Sequence, residues 1–127
     1  MCANIIFIEG AHQPHHTVRA KKQQQYKTKG KIIAAICAAT TCSEESGFSD
    51  NLKHTGNDLY YLKGMAPHYA GEKNYSHSPA VTDKNVIRAN GTAPVDFARE
   101  IFEKIELYRK QDIEKWFQRF KNGIWSE

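Results

Sequence analysis

Cys37 is the residue of this sequence whose setting most favours chemistry. It ends the apolar run KIIAAI and is followed at once by Ala38 and Ala39. A buried strand that ends at a nucleophile, with a helix of small residues next, is the pattern of a nucleophile elbow. Amides at the helix start would favour the thiolate and could hold an oxyanion. An ordinary core cysteine in a strand-to-helix turn is the alternative that the pattern leaves open.

The other candidates for chemistry have weaker patterns. Cys2, Cys37 and Cys42 are an odd and sparse set, and we expect reduced thiols without the spacing of a redox or zinc motif. Three histidines cluster near the N-terminus, at His12, His15 and His16, but no carboxylate or thiol accompanies them in a ligand pattern. We therefore expect no metal site and no cofactor.

Composition describes a globular chain of one domain. The sequence has 127 residues, of which 40% are hydrophobic and 25% charged, and we assign residues 1–127 to a single domain. No apolar run approaches the length of a membrane span, and no signal peptide is recognisable, which predicts a cytoplasmic protein without a membrane partner. The net charge of +4 comes largely from residues 19–31. Because this basic run matches no nucleic-acid motif, we expect a solvated helix face.

The elements around Cys37 resemble a parallel sheet covered by helices. The runs NIIFI and KIIAAI lack alternation, as strands buried on both faces do. Residues 13–29 should form the crossover helix between them, although its apolar stripe is thin. A short helix is expected after Cys37, ending near Gly47, and a brief one after Asn57 or Asp58.

The second half of the chain has clearer signals. Two short strands should flank a turn at residues 83–85. The clearest helix follows, with Thr92 as its cap, Pro94 in its first turn and a broad apolar stripe. A final helix should carry four apolar side chains on one face and end at Asn122 and Gly123; these are Ile113, Trp116, Phe117 and Phe120.

Three segments, in the same order, resemble the ThiJ/PfpI family of the class I glutamine amidotransferase-like superfamily. They are GKIIAAICAATTC, HTGNDLYYLKGMAPHYAGEKNY and VTDKNVIRANGTAPVDFAREIFEKI, and with the tail KWFQRFKNG they cover most of residues 29–123. The resemblance implies an α/β fold, a flavodoxin-like three-layer sandwich with a mostly parallel sheet. It also implies a cysteine nucleophile and often a homodimer.

The resemblance assigns individual residues. Cys37 takes the position of the elbow cysteine, and the Ala38 amide that of one oxyanion donor. Gly10 takes the first place of a Gly-Gly pair that supplies the second donor, whereas Ala11 replaces the other glycine. Ala38 also stands where the protease branch has its histidine, so a different base is needed. His54 is the candidate by its order in the chain.

The family pattern begins earlier than this sequence does. Its first strand, helix and further strand carry an acidic residue beside the elbow cysteine, so we expect an N-terminally truncated, partial domain with an open sheet edge. Glu9 is a weak substitute for that acid, and Asn57 or Asp58 could orient His54.

Three functions remain. The first is a cysteine-dependent hydrolase or amidase-like protein acting on a small-molecule or peptide carbonyl, and the second is a redox or stress-response module. The third is an inactive fragment of such an enzyme.

Overall fold

The computed structural model describes the backbone of residues 5–9, 16–42 and 44–127, and the side chains of residues 21–42 and 44–127. The strands and α-helices, in chain order, are β1 (Ile5–Glu9), α1 (His16–Thr28), β2 (Ile32–Ile36), α2 (Leu59–Met65), β3 (Ala80–Asp83), β4 (Val86–Ala89), α3 (Pro94–Lys104) and α4 (Lys110–Asn122). Single 3-10 turns lie at Cys37–Thr40, Glu44–Ser46 and Glu72–Asn74.

The four described strands form one mixed sheet in the order β1-β2-β4-β3. β1, β2 and β4 run parallel, and β3 pairs antiparallel with β4. The hairpin between β3 and β4 turns at Lys84 and Asn85, as predicted, and Lys84 has a φ of 52°. The predicted α/β, flavodoxin-like sandwich with a mostly parallel sheet is therefore confirmed.

One face of the sheet is covered by α3. Its core joins strand residues with two side chains of that helix, and its buried members are Ala34, Ile87, Ala89, Phe97 and Ile101. Helix α4 packs on α3, outside the sheet. The predicted apolar face of α4 is buried at Ile113 and Phe117, but Phe120 is 62% exposed. The predicted helix and its end are confirmed, and its apolar face is exposed at the last of the four residues.

The opposite face is covered by α1 and by the segment that follows Cys37. Ile33 and Val86 pack there against Phe48 and Leu52, with Tyr26 of α1 at the margin. Helix α1 lies in the predicted crossover, and Lys21 and Lys22 are exposed. Because consecutive residues of a strand point to opposite faces, β2 and β4 contribute to both cores.

Two local predictions were wrong. The segment from Cys37 to Gly47 contains two 3-10 turns instead of one helix. Thr92 does not cap α3, since Ala93 precedes the helix and the amide and hydroxyl of Thr92 both donate to Asn90 Oδ1. The side-chain acceptor at Asn90 therefore holds the backbone in a turn before the helix begins. In the described part of the chain, no helix is long and apolar enough to cross a membrane.

Candidate functional site

Cys37 directly follows β2, a strand with neighbours on both sides, and it is the first residue of a 3-10 turn. Its φ is 61°, in the left-handed region that residues with a Cβ rarely adopt. The side chain is partly exposed, whereas Ala39 is fully buried. The chain therefore turns sharply at Cys37 and leaves its side chain accessible at the carboxyl end of the strand.

The residues after Cys37 explain how this turn is held. The Thr40 hydroxyl donates to the Cys37 carbonyl at 2.7 Å, and the Thr41 hydroxyl donates to the Ala38 carbonyl at 2.6 Å. The Thr41 amide also donates to that Ala38 carbonyl. The two hydroxyls thus add side-chain hydrogen bonds to carbonyls in the first half of the 3-10 turn. These bonds account for two of the small residues in the segment AATT.

Asn57 is the residue that contacts the Cys37 sulfur. Its Nδ2 lies 3.6 Å from Cys37 Sγ as a donor, and its Oδ1 accepts from the Gly91 amide at 2.8 Å. The Asn57 carbonyl in turn accepts from Asn90 Nδ2 at 3.2 Å. Sequence reasoning had given Asn57 a different task, the orientation of His54. The chain offers no local signal for the observed contact, because Asn57 is 20 residues from Cys37.

Gly91 closes the other side of the sulfur. A Cβ placed on Gly91 would lie 2.8 Å from Cys37 Sγ and 3.1 Å from Asn57 Oδ1. Both distances are shorter than ordinary van der Waals contacts, so a side chain here would displace the sulfur or the amide. Glycine at this position therefore allows the close approach of the loop after β4.

His54, the predicted base, is buried, with 1% of its surface exposed. Its Nδ1 donates to the Leu52 carbonyl at 2.6 Å, and its Nε2 accepts from the Tyr69 hydroxyl at 2.5 Å. Burial, followed by the negative charge of Glu44, raises the pKa of Tyr69, which keeps its hydroxyl protonated and able to donate. The ring edge also packs against Tyr75.

The hydrogen bonds of the His54 ring and the hydrogen bond of the Cys37 sulfur have different partners. The described hydrogen bonds join the ring to Leu52 and Tyr69, and none joins it to Cys37. The expectation that Asn57 or Asp58 orients His54 was wrong. Asn57 binds Cys37 Sγ instead, and Asp58 caps α2 by accepting from the Tyr61 amide. Short polar side chains before a helix are caps more readily than partners of a distant ring.

A polar pocket of about 340 Å³ borders Asn57. Its lining combines loop residues before α2, the segment before β3 and the turn before α3, and it includes Thr55, Asn57, Asp58, His77, Asn90 and Thr92. The amine of Lys121, which also lines it, is bonded to Asp96. Hydroxyl, amide and carboxylate groups therefore converge within reach of the residue that contacts the sulfur.

Several residues of interest lie outside the described part of the chain, namely Cys2, Gly10, Ala11, His12 and His15. Glu9 pairs with Ile36 at the end of β1, and its side chain also lies outside that part. Within the described residues, no three His, Cys, Asp or Glu side chains are grouped as metal ligands would be.

Comparison with known proteins gives a consistent result. The model of the DJ-1/PfpI family matches residues 5–104. A curated protein of Bacillus subtilis named as the uncharacterized protease YoaZ is 37% identical over 110 residues, which are 87% of this chain and 50% of that protein. A second one, the uncharacterized protease YdeA of the same organism, is 37% identical over 93 residues, 73% of this chain and 47% of that protein.

Solved structures agree with these relatives. A ThiJ/PfpI family protein from Bacillus anthracis superposes with a TM-score of 0.91 at 34% identity, over 96% of this chain and 59% of that chain. A DJ-1 superfamily protein from Agrobacterium tumefaciens gives 0.72 at 32% identity, over 82% and 55% of the two chains. The present chain spans about half the length of the curated relatives that it matches.

Proposed function

The chain belongs to the DJ-1/PfpI family, and from that membership we propose that it is a cysteine-dependent hydrolase or amidase-like protein. In this proposal the Cys37 thiolate attacks the carbonyl carbon of a small-molecule or peptide substrate. The curated relatives that are named as proteases favour hydrolysis as the reaction class. Because this chain covers about half of each of them, their activity is a hypothesis for it.

The observation that carries the proposal is the backbone at Cys37. A left-handed φ of 61° at a residue with a Cβ stores strain, and such strain persists where the surroundings hold it in place. Here Thr40 and Thr41 hold the turn, and a central strand precedes it. A sharp strand-to-turn connection that presents a nucleophile is the geometry of a nucleophile elbow. A cysteine that only filled the core would not need this conformation.

The proposed reaction proceeds through a thioester. The sulfur of the thiolate forms a bond to the carbonyl carbon, and the electron pair of the C=O bond moves to the oxygen. When this pair returns, the bond to the leaving nitrogen or oxygen breaks, and the leaving group takes a proton. Water then attacks the thioester and releases the acid, which restores the thiol.

Two amides are proposed to stabilise the negative oxygen. The Ala38 amide belongs to the first turn after the nucleophile, where N–H groups lack intrahelical acceptors. The second donor, Gly10, is proposed from the family pattern alone.

The role of His54 as the base stays a prediction. The Tyr69 hydroxyl is bonded to Nε2, and the Leu52 carbonyl to Nδ1. Proton transfer by this ring would therefore require that Tyr69 leave Nε2, and a Tyr69→Phe variant would make that nitrogen available. If His54 is the base, this variant should keep or gain activity, whereas His54→Gln should lose it.

Acylation of the thiol tests the proposed function. We expect the chromogenic ester p-nitrophenyl acetate to release p-nitrophenolate in a burst and to leave an acetyl group on Cys37, located by peptide mass spectrometry. Cys37→Ser should abolish the burst. Cys42→Ser is the matched control, since Cys42 is buried and should not form the adduct. A burst that survives in Cys37→Ser, or an adduct spread equally over the three cysteines, would contradict the proposal.

The alternative functions give other outcomes. A redox module would show reversible oxidation of Cys37 by peroxide without any acyl adduct, and an inactive fragment would show neither. The homodimer and the cytoplasmic location stay predictions, and sedimentation of the purified chain would check the first of them.

A further inference from the structure

We infer that Asn57 is the residue that positions the Cys37 sulfur and stabilises it as a thiolate, an inference that rests on the proposed function. Among the hydrogen bonds of the described residues, the one that reaches Cys37 Sγ comes from Asn57 Nδ2, at 3.6 Å. A sulfur anion accepts hydrogen bonds at longer distances than an oxygen does. A donor to the charged form of a group favours that form.

The orientation of the Asn57 amide is fixed by a second contact. The two ends of an asparagine amide look alike in shape, so the hydrogen-bond partners decide which end is oxygen. The Gly91 amide can only donate, and at 2.8 Å it requires the oxygen on its side. The NH₂ group must then face Cys37 Sγ.

The backbone of Asn57 is also held in place. Its carbonyl accepts from Asn90 Nδ2, and the next residue, Asp58, caps α2 through the Tyr61 amide. Gly91 lies so close to the sulfur that even a Cβ would collide with it. The sulfur therefore lies between Gly91, in the loop after β4, and the side-chain amide of Asn57, whose oxygen accepts from the Gly91 amide.

An amide has one further property that suits this role. A carboxylic acid donates a hydrogen bond only when it is protonated, whereas the Asn57 NH₂ donates at every pH. Among the described residues, the charged groups near this site include Arg88 of β4, which is paired with Glu44, and Asp58 before α2. Lys121, which lines the pocket beside Asn57, is bonded to Asp96. The 3-10 turn at Cys37–Thr40 also packs against β1, whose side chains lie outside the described part of the chain.

The test compares alkylation of Cys37 by iodoacetamide at pH 6 and at pH 9, read from the Cys37 peptide. Asn57→Leu removes the donor at nearly constant volume and adds no charge. We expect alkylation about tenfold slower at pH 6 and within about twofold of the wild-type rate at pH 9. The difference between the two pH values separates ionisation from access.

A second variant guards against misfolding. Asn57→Asp keeps an acceptor for the Gly91 amide but replaces the donor with a negative charge, and we expect it to slow alkylation at pH 6 more than Asn57→Leu does. Asn85→Asp is the matched control, because Asn85 Nδ2 donates to the Gly30 carbonyl in the turn before β4, at the other end of the sheet. It should alkylate at the wild-type rate.

The possible results of this test distinguish a failure of the inference about Asn57 from a failure of the proposed function. Wild-type rates at pH 6 in Asn57→Leu or Asn57→Asp, or equal slowing at both pH values, would overturn the inference about Asn57. If the wild-type Cys37 itself reacts at pH 6 no faster than glutathione, the proposed function fails as well. An acetyl adduct on Cys37 together with unaffected Asn57 variants would leave the proposed function standing and remove Asn57 from it.

Discussion

The two faces of the sheet are built from the same strands by different means. Toward α3, the core cluster that joins the strands to the helix is apolar, and Ile87 and Ile101 belong to it. Toward α1, apolar residues share the interior with charged and polar ones. Arg88, Glu44 and Gln23 each expose no more than 1% of their surface. One strand, β4, supplies both Ile87 and Arg88 at consecutive positions.

The polar face centres on the pair of Arg88 and Glu44. Arg88 Nε lies 3.6 Å from Glu44 Oε1, which also accepts from the Ser49 hydroxyl at 2.8 Å. Burial lowers the pKa of Arg88, and the negative charge of Glu44 opposes that effect. The guanidinium also lies 5.0 Å from the centre of the Phe48 ring. Gln23 accepts from Arg88 at 3.4 Å, which brings α1 into the same group.

The two faces differ in how strongly their stabilising interactions depend on geometry. Apolar burial stabilises the fold in proportion to area and with little regard to angle. Ion pairs and hydrogen bonds depend on geometry, and here the ion pair of Arg88 with Glu44 attaches the turn Glu44–Ser46 to β4. That turn follows Cys37 by a few residues, and its first amide donates to the Thr41 carbonyl. The polar face therefore fixes where the segment after the cysteine lies.

The largest expected effect comes from breaking this pair on one side. Glu44→Leu should lower the free energy of unfolding by about 3–5 kcal/mol, because Arg88 would remain buried without its countercharge. Urea denaturation measures this change. The double variant Glu44→Leu with Arg88→Met should recover most of the loss, since two apolar side chains can replace a buried ion pair. A single variant that loses less than about 1 kcal/mol would show that the two faces do not differ as described.

A smaller effect is expected on the apolar face. Ile101→Val removes one buried methylene group from the α3 core and should cost about 0.5–1.5 kcal/mol in the same urea experiment. Because this core does not touch the turn after Cys37 through directed bonds, the rate of iodoacetamide alkylation at Cys37 should stay unchanged. The double variant Glu44→Leu with Arg88→Met should recover stability without the ion pair that attaches the turn to β4. Its alkylation rate should therefore differ from that of the wild type. Equal alkylation rates in all three proteins would contradict the comparison.

The contrast between the faces also marks what the sequence could predict. Continuous β-branched runs predicted β2, and the residues 83–85 predicted the hairpin, since both signals are local. The spacing of apolar residues with Asn122 and Gly123 predicted α4 and its end, where Gly123 has a φ of 69°. Helices and strands whose apolar residues recur at a regular spacing can therefore be predicted from a single sequence.

The polar contacts are not visible in that way. Arg88 and Glu44 are 44 residues apart, and nothing near either residue indicates the other. A cation in a strand predicts an exposed position, whereas Arg88 is buried with its partner. Asn57 was a candidate for the site, but its contacts with Cys37 and Gly91 depend on how three loops meet. Polar contacts between distant segments depend on the folded structure, and the spacing of residues along the sequence does not indicate them.

The smallest expected effect concerns Glu45, the neighbour of Glu44 on the same turn. The two carboxylates differ in setting, because Glu45 is exposed and bonds the side chain and the amide of His68. These two hydrogen bonds, the side-chain one first, lower the pKa of Glu45 from its usual value of 4.5. A lowered pKa in the folded state means that the contribution to stability is complete above pH 4.5 and is lost as the pH falls through the folded value.

Glu45→Gln should therefore lower the melting temperature slightly at pH 7, and the difference from the wild type should vanish below pH 3. The matched control is Glu103→Gln, an exposed carboxylate on α3 that has no ion-pair partner among the described residues. It should show no such pH-dependent difference. A loss in Glu45→Gln as large as that in Glu44→Leu would mean that burial does not set the strength of these pairs. In that case the separation of the turn into a buried anchor and a solvated neighbour would be wrong, because screening by water is what makes an exposed pair weak.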